Sequence, residues 1–200
     1  SNLSQEGDCW VYCNAQVKDE AQVSDDAKLF DNAEVYDEAK LFDNAKVSGN
    51  AVVCDEAIVS GNAKVYDEAA VYDEAVVCDN AKVYGSATVC DDAKVCGNAE
   101  VYDDAKVYDD AKLFDNAEVY DNAKIYHSAK VYGNACVFDN AIVSGNAKVY
   151  DEAAVYDEAV VCGNVKVYGN ATVCDNAKVC GSSAEVYDDA KVYDEAKVSG

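Results

Sequence analysis

The sequence predicts an all-β chain wound as a parallel β-solenoid, on three observations. A six-residue word repeats almost without interruption from Ala15 to Ser182, slips by one residue at Ser183 and resumes at Ala184. Within each word, aliphatic residues two apart alternate with polar or aromatic ones, which is the period of a strand. Each word then closes on Asp, Gly, Asn, Glu or Ser, residues dominated by those that accept turn or left-handed backbone. A fixed short period decides architecture ahead of any propensity argument. A strand this short, cornered every six residues, cannot build a hairpin sheet or a helix-covered one. It can wind, each coil burying the inner face of the next.

The word Ala63-Lys64-Val65-Tyr66-Asp67-Glu68 shows the parts. Ala63 and Val65 face inward, Lys64 and Tyr66 outward, and Asp67-Glu68 turn the corner. Val is β-branched and suits the strand. The inward slots hold Ala and Val, with Leu29, Leu41, Leu113 and Ile125 as the larger exceptions. That composition predicts a narrow, dry core without room for an internal ligand. Gly49, Gly61 and Gly85 fall in the first corner slot, so glycine serves backbone geometry here.

The word resembles the hexapeptide repeat of left-handed parallel β-helices, in which an aliphatic residue recurs every six positions with a small residue four places later. The opening Asn2-Leu3-Ser4-Gln5-Glu6-Gly7-Asp8-Cys9-Trp10-Val11-Tyr12 is similar to the lead-in of hexapeptide-repeat proteins of bacteria and their prophages, an acyltransferase-like family. The resemblance spans essentially the whole chain. It implies a triangular coil of three words, or eighteen residues, and left-handed winding, against the usual right-handed crossover. About 10–11 such coils at about 4.8 Å each make a rod roughly 50 Å long. A two-sided solenoid with twelve-residue coils is the alternative.

The chain has 200 residues and a formal net charge of −23, and its sixteen basic residues are all lysine. Without arginine's planar fork, direct phosphate or base recognition is not expected. Fifteen lysines occupy the outward variable slot, as in Lys28 and Lys106, while the acids gather at the corners. A solvated acidic surface protects a sheet-rich rod from aggregation; an acidic column that imitates nucleic acid and binds a basic protein is a second reading. Stacked carboxylates about 5 Å apart repel by about 1 kcal/mol per pair in water, and Asn32, Asn44 and Asn80 are expected to relieve this by amide stacking. No apolar run approaches a membrane span and no signal peptide is visible, so no membrane association is expected and a cytoplasmic location is.

Taken in order, residues 1–8 form a polar lead-in and capping segment, and residues 9–200 the solenoid. Cys9 takes an Ala slot, and Trp10 is expected to cover the first coil, since a solenoid needs its edge blocked. The first residue already lies in the lead-in, as if the natural start were trimmed. Residues 27–110 and 111–195 are tandem copies at a shift of 84, becoming 85 after Ser183. A shift of fourteen words is not divisible by three, so on a triangular coil the second copy is turned by one face. One face then carries Tyr66, Tyr84, Tyr102 and Tyr120 on consecutive coils, followed by Phe138 and Tyr156. Cross-strand packing accounts for exposed aromatics; a contact surface is the alternative. Val52, Ala70 and Thr88 stack where lysine is otherwise usual. Val52, Cys54, Ala70, Tyr72 and Cys90, together with the column Tyr66, Tyr84, Tyr102 and Tyr120, are the candidate interface. Relatives imply trimers, but equivalent patches on different faces leave the symmetry open. The stop at Val198-Ser199-Gly200 falls mid-word, as expected of a cropped segment or an end covered by another molecule.

Most of the ten cysteines share the outward slot with Tyr and Ser. Cys78 and Cys96, and Cys162 and Cys180, lie eighteen apart and so one above the other, within disulfide range. Free thiols are nonetheless expected, because no secretion signal is visible and the slot also accepts Ser and Tyr. No Cys-x-x-Cys pair suggests a metal site, and no motif calls for a cofactor. His127 is the sole histidine. The family resemblance implies a histidine general base beside an acyl-carrier cleft between subunits, for which His127 is the candidate, while its corner slot marks it as a surface residue. A base needs an orienting partner and a pocket, and Ser183 is the only residue that interrupts the repeat. The leading expectation is a non-catalytic, self-associating or protein-binding scaffold. An acyl-CoA-dependent transferase is the alternative, and the acidic mimic the second.

Overall fold

The computed structural model describes residues 3 and 7–200. The lead-in expected over residues 1–8 therefore lies largely outside the described residues; Leu3 forms an isolated parallel bridge to Val23. Among the described residues the chain is all β, with 32 short strands in three parallel sheets of 11, 11 and 10 strands. Successive strands in the chain go to successive sheets, so each strand pairs with the third one along. Face I begins with Trp10–Val11, face II with Gln16–Val17 and face III with Gln22–Val23.

The pairing register fixes the coil. Lys64 pairs with Lys82 and Val65 with Val83, a step of eighteen residues. This rules out the twelve-residue coil. The backbone closes between coils throughout: Lys64 N–H donates to Ala81 O at 2.9 Å and Tyr66 N–H to Val83 O at 3.0 Å. Even the corners join in, with Glu68 N–H on Gly85 O at 2.8 Å. Because the step is constant, every slot stacks on its own kind. The inward alanines and valines from Ala27 to Val179 are essentially inaccessible, and Leu29, Leu41, Leu113 and Ile125 are the largest fully buried side chains. Val165 stands in an alanine slot without opening the core.

The first corner residue takes positive φ whether or not it is glycine: 59° at Asp43, 56° at His127 and 73° at Gly49. Left-handed backbone costs an ordinary residue about 1–2 kcal/mol. Aspartate offsets that cost, because its carboxylate accepts the corner N–H of the next coil. Asp43 Oδ2 takes Gly61 N–H at 3.0 Å, and Asp109 Oδ2 takes His127 N–H at 2.9 Å. In the second corner slot, amides stack as expected for Asn32 and Asn80: Asn32 Nδ2 donates to Asn50 at 3.1 Å and Asn80 Nδ2 to Asn98 at 3.0 Å. In the column that holds Asn44, the ladder runs from Asn62 through Asn80 and Asn98 to Asn116 and Asn134.

Ser183 changes the step to nineteen, so Lys166 pairs with Glu185 and Thr172 with Lys191. The extra residue is taken up where strands lengthen to four residues, at Val160–Gly163 and Lys178–Gly181. Here Gly181 opens to φ 144°, backbone that a side chain rarely adopts. The tandem copies fall on different faces: Val52 lies on face II and Cys136 on face I, and Tyr66 belongs to face I and Tyr150 to face III.

The free-thiol expectation fails at two places. Cys78–Cys96 and Cys162–Cys180 are disulfides, with Cα atoms 4.7 and 4.6 Å apart. The parallel register puts like slots directly over one another at a separation a disulfide spans, a geometry on which neither a visible leader nor a slot shared with Ser and Tyr bears. Cys13, Cys54, Cys90, Cys136 and Cys174 keep free thiols. Alkylation of the unreduced, denatured chain should therefore leave Cys78, Cys96, Cys162 and Cys180 unlabelled and label them after reduction; mass spectrometry locates the label.

The inside–outside assignment is tested by neighbours. Val107 is fully buried between Val89 and Ile125, whereas Tyr108 is partly exposed and stacked on Tyr126 at 5.0 Å. Val107→Asp places an unpaired charge in a dry core and should cost more than about 3 kcal/mol. Tyr108→Ser should cost about 0.5–1.5 kcal/mol for the lost ring contact. Equal urea midpoints for the two variants would contradict the assignment.

Candidate interaction faces

Each face presents two outward columns, one from the slot between Ala and Val and one from the slot after Val. On face I the second column is a ring ladder. Tyr66, Tyr84, Tyr102, Tyr120, Phe138 and Tyr156 stack at centroid spacings of 4.8–4.9 Å, with interplanar angles of 8° or less. The spacing is the strand spacing, so the sheet register alone aligns the rings. The column beside it changes sign: Lys64 and Lys82 are followed by Glu100 and Glu118. At the change, Lys82 Nζ donates to Glu100 Oε1 at 2.6 Å and Tyr84 OH to Glu100 Oε2 at 3.1 Å. The tandem copy repeats this clamp on face III, where Lys166 Nζ reaches Glu185 Oε1 at 2.7 Å and Tyr168 OH reaches Oε2 at 3.2 Å.

Face II differs. Val52, Ala70 and Thr88 are in register on consecutive coils. Beside them, Tyr36, Cys54, Tyr72 and Cys90 alternate, with the Tyr36 and Cys54 side chains hydrogen-bonded and Tyr72 likewise with Cys90. Cys54 is buried, and its thiol also donates to Asp55 Oδ2 at 3.2 Å. Burial and then the nearby carboxylates push the Cys54 thiol up to about 11, against a hydrogen bond from Tyr36 that pulls it down. Such a thiol is a poor nucleophile. The candidate interface residues thus divide between two faces: Val52, Cys54, Ala70, Tyr72 and Cys90 on face II, and Tyr66, Tyr84, Tyr102 and Tyr120 on face I.

His127 stands at a corner with its side chain 63% exposed. Its ring meets Tyr126 edge-on at 4.7 Å, and Nε2 lies 3.9 Å from Asp109 Oδ2. That distance exceeds a hydrogen bond, so Asp109 does not orient the ring as a base requires. Four surface grooves among the described residues do not include His127 in their lining. They are shallow and polar, such as the one of about 400 Å³ lined by Asp26, Lys28, Asn44, Lys46, Asn62 and Lys64. Among the described residues, two clusters have metal-ligand chemistry with a free thiol, Asp37 with Cys54 and Asp55, and Asp157 with Cys174 and Asp175. In both, burial raises the thiol's pKa and so disfavours the thiolate that a metal needs. Cys78, Asp79 and Cys96 also converge, but both sulfurs there are disulfide-bonded.

The sequence reading missed the aspartate-to-backbone ladder and the Lys–Glu–Tyr clamp. Both were available in principle once residues eighteen apart are read as neighbours, since a carboxylate then stands beside a corner N–H and Lys82 beside Glu100.

The stacked rings make an alkaline prediction. Burial pushes Tyr120 up to about 12, with nearby carboxylates adding to it, and Tyr36 and Tyr72 reach about 12 chiefly through their cysteine hydrogen bonds. The folded chain then holds protons that the unfolded chain releases from about pH 10. The tyrosines' contribution to stability should be constant below that value and fall between about pH 10 and 12, while the raised Cys54 thiol begins its own loss from about pH 9. Tyrosinate absorbance at equilibrium, followed with circular dichroism, should show ionisation coupled to unfolding; full ionisation of an intact fold near pH 10 would contradict the packing.

A repeat model described as the YdcK beta solenoid repeat matches residues 129–145. No curated protein matches the chain. The matched segment runs through one strand of each face, at Lys130–Val131, Cys136–Val137 and Ile142–Val143, so the likeness is to the repeat unit of a β-solenoid.

Proposed function

We propose that the chain is a structural or protein-binding rod that works through its flat faces and associates with itself. The observation that carries this reading is the unbroken register: from Trp10 to Val198 each strand continues one of three sheets, and Ser183 is absorbed within the coil. What varies along the rod is the outward pair of columns. A surface built of parallel side-chain ladders suits recognition of another extended surface, where aromatic residues supply contact area at low conformational cost.

The family resemblance supports a transferase as the rival reading, with His127 as base. The two separate cleanly. The rod reading expects no thermal protection by acyl-CoA and an assembly that grows with protein concentration. Light scattering over a concentration series tests it, and a strict monomer at high concentration would remove self-association. Acyl transfer that is lost in His127→Ala would replace the rod reading with the enzyme.

A further inference from the structure

We infer that face I is the self-association surface, and that two copies pair through it antiparallel, about a two-fold axis running along the strands between the coil of Lys82 and the coil of Glu100. This deepens the self-association reading and rests on it.

A two-fold axis along the strand direction reverses the coil order and keeps each column opposite its own kind. Lys82 then faces Glu100 of the second copy, and Lys64 faces Glu118. At the centre, the intrachain pair of Lys82 and Glu100 at 2.6 Å meets the same pair inverted, so four charges alternate in sign around a square. The same operation sets Tyr84 against Tyr102 and Tyr66 against Tyr120. Further out it is also complementary in size. Ser48, which interrupts the ring column, meets Phe138, and Lys46 and Lys28 meet the small Cys136 and Ala154.

The register is selective. Moving the axis by half a coil sets Lys82 or Glu100 against itself. An axis along the rod puts the lysine half of one copy on the lysine half of the other. The axis between Lys82 and Glu100 is also nearly central, since face I has five strands before it and six from Glu100 onward. Ten coils therefore overlap. At about 4.8 Å per coil and about 15 Å of face width, each copy covers roughly 700 Å², close to the roughly 800 Å² per partner of a stable interface. Neither other face carries a Lys–Lys–Glu–Glu run. Face II reads Val52, Ala70, Thr88, Lys106 over the same coils, and face III stays lysine from Lys94 to Lys166.

The pair Lys64 and Glu118 provides the test, because the two are three coils apart within a chain, about 14 Å, and can meet only between chains. Lys64→Glu and Glu118→Lys are prepared separately and together and studied by analytical ultracentrifugation near 0.15 M salt, with circular dichroism to verify folding. Like charges opposed across an interface are costly, so each single variant should dimerise at least about tenfold more weakly than the native chain. An equimolar mixture of the two should recover a 1:1 heterodimer, and the double variant a homodimer. Single variants that dimerise as well as the native chain, or a mixture that stays monomeric, would overturn this pairing while leaving a self-associating rod in place. A native chain that never dimerises would remove both.

Discussion

The constraint on which everything else depends is the step of eighteen residues between hydrogen-bonded neighbours, nineteen only across Ser183. It converts a one-dimensional repeat into vertical columns of identical chemistry. Alanine sits over alanine and valine over valine, so the interior needs no jigsaw of unlike shapes. On most coils a methyl group and an isopropyl group of fixed size meet their own kind, and Leu29, Leu41, Leu113 and Ile125 are accommodated beside them. Stability then accumulates along the rod by nearest-neighbour contacts.

The same step disciplines the surface, where repetition is costly as well as useful. Stacked rings and amides gain from lying over their own kind, while stacked carboxylates repel. Aspartate persists at the first corner because one of its oxygens is tied to the amide of the coil above, as Asp43 is to Gly61 and Asp109 to His127. The acid thereby supports the left-handed backbone beneath it. Glycine reaches the same φ without needing that partner, and the two residues share the slot.

The inward slots, the corners and the absence of helix among the described residues were legible because each depends only on period and local backbone preference. Tyr66, Tyr84, Tyr102 and Tyr120 could be stacked on paper for the same reason. The three-sided coil came from the family resemblance, since spacing alone also permits two sides. The disulfides were half legible. Cys78 and Cys96 were recognisably superposed, yet free thiols were expected because no secretion signal was visible and the slot also accepts Ser and Tyr, neither of which bears on sulfur geometry. Residues on neighbouring faces were hardest to group. Cys54 and Tyr66 are close in sequence but look outward in different directions, and a list made along the chain joins what a corner separates. The contact between His127 and Asp109 depends on side-chain torsions, which no repeat encodes.

The two sulfur staples join coils that are adjacent in the stack and a full turn apart along the chain, and this has a mechanical consequence. Under tension the solenoid should pay out like thread from a bobbin, each released turn adding about 60 Å of extended chain. A stapled turn cannot pay out. The oxidised molecule is consequently shorter at full extension than the reduced one by about two turns' worth of thread, a difference that a force–extension trace records directly.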